Sequence, residues 1–416
     1  MTDTVTVSDD LAELSGKSLL IFDDGLATAD SHWIEYNKAV AVLNARLGIR
    51  TTVICDRGFP HAAELEAMGV TVLPLVERSP WRELVAGVSP FGPLKTLRYG
   101  WHFSRVLARV LRGQAFDCVL HPAAMGAHLL AWCLLPRRLR RRAVRAVFTT
   151  WITLASYRGD GQPRFARRLA YWKPLGAWLR REFASGRFAF GTDSERLAHE
   201  YRLLAGLPAR EMPSPTTAAA PVPSERDPTA PVCFGSVGPA RLEKGIDVFE
   251  AAIAALPAGA DSPPMRFLIQ WNRPVLDPAG VEVKPGASLL ADPRIRLITH
   301  AMSSDEYRAL VAEIDCMVMP YRRSAYYTRG SGVAVEAACG GIPMIVTADT
   351  WLENFVEQQG AGLAVPDGDA AALAGAMVDV ARDFPAIRAR AVERAGIALR
   401  INSAEAFARA LWRPLA

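Results

Sequence analysis

Apolar residues in this chain follow two spacings. Short apolar runs, of the kind a strand buried on both faces requires, occur at Ser18–Asp23, Thr51–Cys55, Val70–Leu75, Phe116–Leu120, Val144–Thr150 and Arg187–Gly191. They return at Val232–Gly235, Arg266–Trp271, Ile295–His300, Cys316–Tyr321 and Met344–Thr347. Between them, apolar positions recur at helical intervals: Ile34, Val40, Leu43 and Leu47 share one face, as do Ile246, Phe249, Ile253 and Leu256. Strand alternating with helix predicts an α/β fold with doubly wound, largely parallel sheets. At 416 residues and 50% hydrophobic content, the chain can fill two such cores. The division falls in Gly206–Pro231, which is rich in Pro, Ala, Ser and Thr and has neither period. The expected boundaries are an N-terminal domain over 1–215, a linker over 216–231, a C-terminal domain over 232–395 and a terminal helical segment over 396–416, where Ser403–Trp412 reads as a capped helix.

Chemistry concentrates after the linker. Cys316–Thr347 reads as strand, loop, helix, glycine stop and strand, with Ser331 as N-cap and Gly340, Gly341 and Pro343 ending the helix. The loop Arg322–Gly330 then lies at the carboxyl end of a strand, where unpaired helix N–H groups favour phosphate. Small residues at Gly330, Ser331 and Gly332, next to Val333, allow close approach to the backbone. Glu336 lies four residues beyond Gly332, about 6 Å along the axis, within reach of hydroxyls attached to that phosphate. Upstream, Arg241 and Lys244 stand three apart at a helix entrance, where cations are unfavourable unless an anion lies between them. In the N-terminal half no G-x-G-x-x-G follows the first strand, which argues against a dinucleotide oxidoreductase. Asp24, His32 and Glu35 follow that strand, His121 ends FDCVLH, and Trp151 follows Thr150; all are carboxyl-end positions of an open sheet.

These segments resemble the retaining glycosyltransferases of GT-B fold, family 4 (glycosyl transferases group 1), specifically over Val232–Gly368 and in architecture elsewhere. The resemblance implies two Rossmann-like domains facing each other across a cleft, with the terminal helix crossing back to the N-terminal domain. It implies a nucleotide-diphosphate sugar as co-substrate, with no bound metal and no further cofactor. Glu336 matches the second glutamate of the family signature, which binds the donor ribose; Thr328 stands where the first would be, with Arg329 beside it. Donor binding is then expected at Thr328, Arg329, Gly330, Ser331, Gly332, Val333 and Glu336. Catalysis is assigned to Arg241 and Lys244 on the leaving diphosphate and to His121. Asp24, His32, Glu35 and Trp151 are acceptor-side candidates, the acceptor being a glycan or a lipid-linked molecule. The alternative is a non-catalytic GT-B protein that keeps nucleotide-sugar binding as a scaffold, because Thr328 replaces a carboxylate.

Charge adds a partner. Residues 92–190 carry nineteen Arg and Lys against three acids, whereas the whole chain has a net charge of only +5. Arginines interleave with Tyr171, Trp172, Trp178 and Phe183, a pattern suited to an anionic membrane through residues 136–183. No nucleic-acid-binding motif accompanies the charge, so nucleic acid is not expected. Six cysteines without CxxC spacing read as reduced core thiols of a cytoplasmic protein, and the polar, acidic first sixteen residues carry no signal-peptide pattern. The expected location is cytoplasmic, peripheral on the inner face of the membrane.

Overall fold

The computed structural model describes residues 9–27, 33–85, 92–157, 161–216, 230–256 and 262–413. His32 and most of the expected linker lie outside these residues. The chain divides into two compact units, one of Met1–Thr217 with Asn402–Ala416 and the other of Ala218–Ile401.

The first unit contains β1 (Ser18–Phe22), β2 (Arg50–Asp56), β3 (Thr71–Val76), β4 (Phe116–His121), β5 (Ala143–Thr150), a small antiparallel hairpin of β6 (Ala155–Tyr157) and β7 (Pro163–Phe165), then β8 (Phe188–Thr192) and β9 (Ala209–Glu211). Seven of these form one parallel sheet in the order β3-β2-β1-β4-β5-β8-β9. Side chains alternate across the pleat, so Leu20 and Phe22 of β1 enter one core while Leu19 and Ile21 enter the other. Both faces are buried, which is why the strand reads as a continuous apolar run. Helices Pro93–Gly113, Gly126–Leu134 and Trp172–Ala184 cover the first face. Helices Trp33–Leu47 and Ala404–Trp412 cover the second, and each fully buried Leu or Ile there contributes about 1.5–3 kcal/mol.

The second unit contains β10 (Val232–Ser236), β11 (Met265–Gln270), a hairpin of β12 (Val275–Leu276) and β13 (Glu282–Val283), β14 (Ile295–Ile298), β15 (Cys316–Met319), β16 (Met344–Thr347) and β17 (Gly362–Val365). Its six-stranded sheet is parallel, in the order β14-β11-β10-β15-β16-β17. In each sheet the strand order reverses once, between β1 and β4 and between β10 and β15. Ligands of open α/β sheets bind at the carboxyl ends beside such a reversal.

Two details differ from the sequence expectations. A single helix, Phe384–Asn402, runs through the expected boundary at 395; Ile387 and Ala398 sit in the cores of the second unit, so the division falls at Ile401. Ser403 then caps the separate helix Ala404–Trp412, whose Phe407 and Leu411 pack into the first unit. The arginine- and tryptophan-rich stretch is also less exposed than its composition implies. Trp172 is 1% exposed and packs against Tyr201, while Trp178 stays outside at 62%; Gly126 leaves room for the neighbouring Tyr171 ring. Among the described residues no helix is long and apolar enough to cross a membrane.

Candidate functional site

At the reversal point of the second sheet, the loops after β10 and β15 meet. Gly238, with φ +82, turns the first loop, and its N–H donates to Gln270 Oε1 at 2.6 Å. Arg241 then precedes a single turn of 3-10 helix, Leu242–Lys244, ended by Gly245 at φ +67. A side chain at 245 would collide with the carbonyl oxygen of Pro320, so glycine is what lets the two loops touch. A Cβ on residue 238 would lie 2.6 Å from Lys244 Nζ and 3.8 Å from Val333 Cγ2, which places the lysine ammonium under the Gly238 turn beside the helix Gly332–Cys339.

Four charged groups gather here. Glu243 accepts from Arg241 at 3.1 Å and from Arg329 at 3.3 Å. Burial pushes the Glu243 carboxyl up, but Arg329 and Arg241 outweigh it and hold it below the ordinary range. Lys244 Nζ lies 5.7 Å above the Tyr321 ring, and Arg329 stacks on Tyr326 at 5.0 Å. Burial, then repulsion from Arg241 and Arg329, lowers the Lys244 pKa from 10.5 to about 7. Three cations thus face one carboxylate, and an arriving anion is what would restore the lysine's charge.

Ser331 caps the helix by accepting from Ala334 N–H, so the helix itself offers no acceptor to the Gly332 and Val333 N–H groups. Glu336, half-buried one turn in, accepts from Tyr307 Oη at 2.8 Å. Burial and the Glu336 charge both drive the Tyr307 pKa well upward, so the phenol remains a donor. Arg241, Lys244, Arg329, Gly330 to Val333 and Glu336 are therefore drawn from the two loops and the helix that flank this reversal point. Thr328 is only 1% exposed, beneath that surface. The sequence reading missed Glu243, Tyr307 and Gln270. Glu243 was legible as the acid between two cations, whereas Tyr307 is 29 residues from its partner and carried no signal.

The first-unit candidates scatter. His121 is fully buried; it belongs to the pleat face of Val119, so it turns into the core away from solvent, against the expectation of a catalytic role. It accepts from Trp132 Nε1 at 2.8 Å and stacks on Phe148 at 5.0 Å, and burial followed by the neighbouring His128 holds its pKa well below 6.5. Asp24 is also fully buried, which removes it from the acceptor-side set: its Oδ1 pairs with His128 Nε2 at 3.0 Å. His128 Nδ1 accepts from Met125 N–H, fixing the tautomer and tying the β1 loop to the start of the helix Gly126–Leu134. Glu35 bonds Lys38 at 3.1 Å, and Trp151 packs half-buried on the second-face core. Asp23 is buried beneath the β1 loop and accepts from Asn37 at 2.7 Å and Gly25 N–H at 3.0 Å; burial raises its pKa to about 7. Glu200, likewise sealed, accepts from Leu154 N–H, Ala155 N–H, Thr153 and Tyr157, pinning the segment after β5.

Residues 231–383 match the family described as "Glycosyl transferases group 1". No curated protein matches the chain. Among solved structures, sucrose-phosphate synthase from Thermosynechococcus elongatus superposes with a TM-score of 0.63 at 17% identity, over 94% of this chain and 96% of that one. Anabaena HepE in complex with UDP gives 0.63 at 14%, over 95% and 98%. A glycosyltransferase from Rickettsia africae gives 0.62 at 13%, over 95% and 97%. At these identities the likeness establishes the fold. The chain therefore has the GT-B fold, and its second unit carries the sequence signature of the group 1 glycosyl transferases.

Proposed function

We propose that this protein is a retaining glycosyltransferase that moves a sugar from a nucleotide-diphosphate donor to a glycan or lipid-linked acceptor, working in the cytoplasm as a peripheral membrane protein. The observation that carries this reading is the excess of cations, Arg241, Lys244 and Arg329 over Glu243, beside the Gly332 and Val333 amides, to which the helix itself offers no acceptor, at the reversal point of the second sheet. A diphosphate placed there offsets that excess. The departing nucleotide is stabilised by fixed donors already in position, which is how electrostatic catalysis gains most. In this reading Glu336, held by Tyr307, accepts from the ribose hydroxyls, and the protein cations fill the role a metal has in other transferases. Hexoses are the first sugars to test, and uridine nucleotides the first donors, because Anabaena HepE, of the same fold, has been solved with UDP and with UDP-glucose.

The test is titration calorimetry with nucleoside diphosphates and their sugars, followed by assays for donor hydrolysis and transfer, with the product's anomeric configuration read by NMR. Binding that depends on the diphosphate, with turnover that retains configuration, is expected. Absence of nucleotide binding would sink the proposal. Tight binding without hydrolysis or transfer to any acceptor favours the scaffold reading, for which the buried, uncharged Thr328 is the specific ground.

A further inference from the structure

We propose that the outer face of the helix Pro93–Gly113 is a docking surface for an anionic lipid bilayer. The inner face of this helix is core: Tyr99, Phe103, Leu107 and Leu111 are buried, and Gly100 lets Leu130 of the next helix approach closely. The outer face should be wholly polar on that pattern, and it is not. Leu94 is 81% exposed, Leu97 54% and Trp101 56%, at spacings that put them along one side of the helix. Arg98 and Arg105 share that side, and the Arg105 guanidinium lies 4.7 Å over the Trp101 ring. The helix has five basic residues and no acid, and of the five Lys95 is paired, with Glu83 at 2.7 Å.

Charge complementarity selects the occupant. Exposed leucines and a tryptophan interleaved with arginines match a surface that is negative outside and apolar just beneath, where the rings and leucines enter the acyl boundary and the guanidiniums meet phosphates. An acidic protein partner would leave the three large apolar side chains without a counterpart, and base stacking would use the tryptophan but not the leucines. The surface differs from the one expected over residues 136–183, where Trp172 is core.

The experiment is cosedimentation of the full chain with vesicles of phosphatidylcholine alone or with about one quarter phosphatidylglycerol. Binding is expected only to the anionic vesicles and should weaken with salt. Arg98→Ser and Arg105→Ser are each expected to weaken partitioning about fivefold. Leu94→Ser/Leu97→Ser/Trp101→Ser should lose about tenfold or more, with circular dichroism and nucleotide affinity unchanged because these side chains lie outside both core and donor site. Three results overturn the proposal: no anionic-vesicle binding at low salt, a triple variant that binds as well as wild type, or a patch-dependent dimer or single-stranded nucleic-acid complex that forms in preference to vesicle binding. This surface rests on the peripheral-membrane part of the proposed function: loss of all vesicle binding sinks both, a triple variant that still binds sinks this surface alone, and nucleotide titration reads the transferase activity separately.

Discussion

Lys244 is expected to take up a proton when a nucleoside diphosphate binds. In the free protein its pKa is lowered from 10.5 to about 7, first by burial and then by Arg241 and Arg329. At 1.36 kcal/mol per pH unit that corresponds to at most about 5 kcal/mol, an upper bound because the residue keeps some solvent contact. The sign follows from the direction. A lysine whose folded pKa lies below its unfolded value costs stability below about pH 7, and that cost fades as pH rises toward 10.5. A diphosphate beside the ammonium reverses the shift. At pH 8 the free lysine is about nine-tenths neutral, so binding should draw in nearly one proton, and affinity should fall about tenfold per pH unit above 7. Calorimetry of UDP binding in buffers of differing ionisation enthalpy measures the uptake directly. Lys244→Met should abolish it and weaken UDP, yet raise the melting temperature of the ligand-free protein at pH 7 by removing a poorly solvated charge. If Lys244→Met destabilises the free protein and leaves UDP affinity and proton uptake unchanged, the ammonium does not face the diphosphate.

Three further outcomes are expected. Glu336→Gln should weaken nucleotide binding by about 1.5–3 kcal/mol while leaving pyrophosphate affinity intact, and Tyr307→Phe, which only orients that carboxylate, should cost about 1 kcal/mol in the same titration. Asp23, with its pKa raised to about 7, binds a proton in the folded state that the unfolded chain has released, so stability should fall between about pH 4 and 7; Asp23→Asn should flatten that slope and raise stability at pH 8 by about 2–4 kcal/mol in denaturant titrations. Gly245→Ala combines a left-handed backbone with a collision against the Pro320 carbonyl, and should lower the melting temperature by the equivalent of about 3 kcal/mol or more and disorder the cation cluster, seen as lost UDP binding.

Much of the fold was legible because parallel strands buried on both faces leave unbroken apolar runs. Met344–Thr347 is a strand over those same residues, and Ser331 caps the helix that runs to Cys339. What escaped were elements whose existence depends on neighbours. β17 is a short run beginning at Gly362, held by pairing to β16, and β9 is a three-residue edge strand that exists only beside β8. The donor-side loops could be read from glycines and charges close together in sequence. In the first unit, residue type alone misled: a histidine and an aspartate at strand ends suggested chemistry, but pleat parity turned His121 inward, and His128, 104 residues away, claimed Asp24. Pairings across such distances follow from topology, which local pattern does not encode.

The first unit is closed by segments that precede and follow the second unit in sequence. Arg210 donates to the carbonyl of Ala410, 200 residues later, and Asp10 pairs with Arg409 and Arg413. On the ribosome this fixes an order of assembly. Seven strands and their helices emerge early, yet the apolar face awaiting Phe407 and Leu411 stays uncovered while the second unit is translated, about 10–40 s at ordinary elongation rates. The second unit, contiguous from β10 onward, can fold within that interval. A nascent chain released before Phe407 would therefore present a finished second unit tethered to a first unit with an open core, and the early-made half would be the one chaperones must shield.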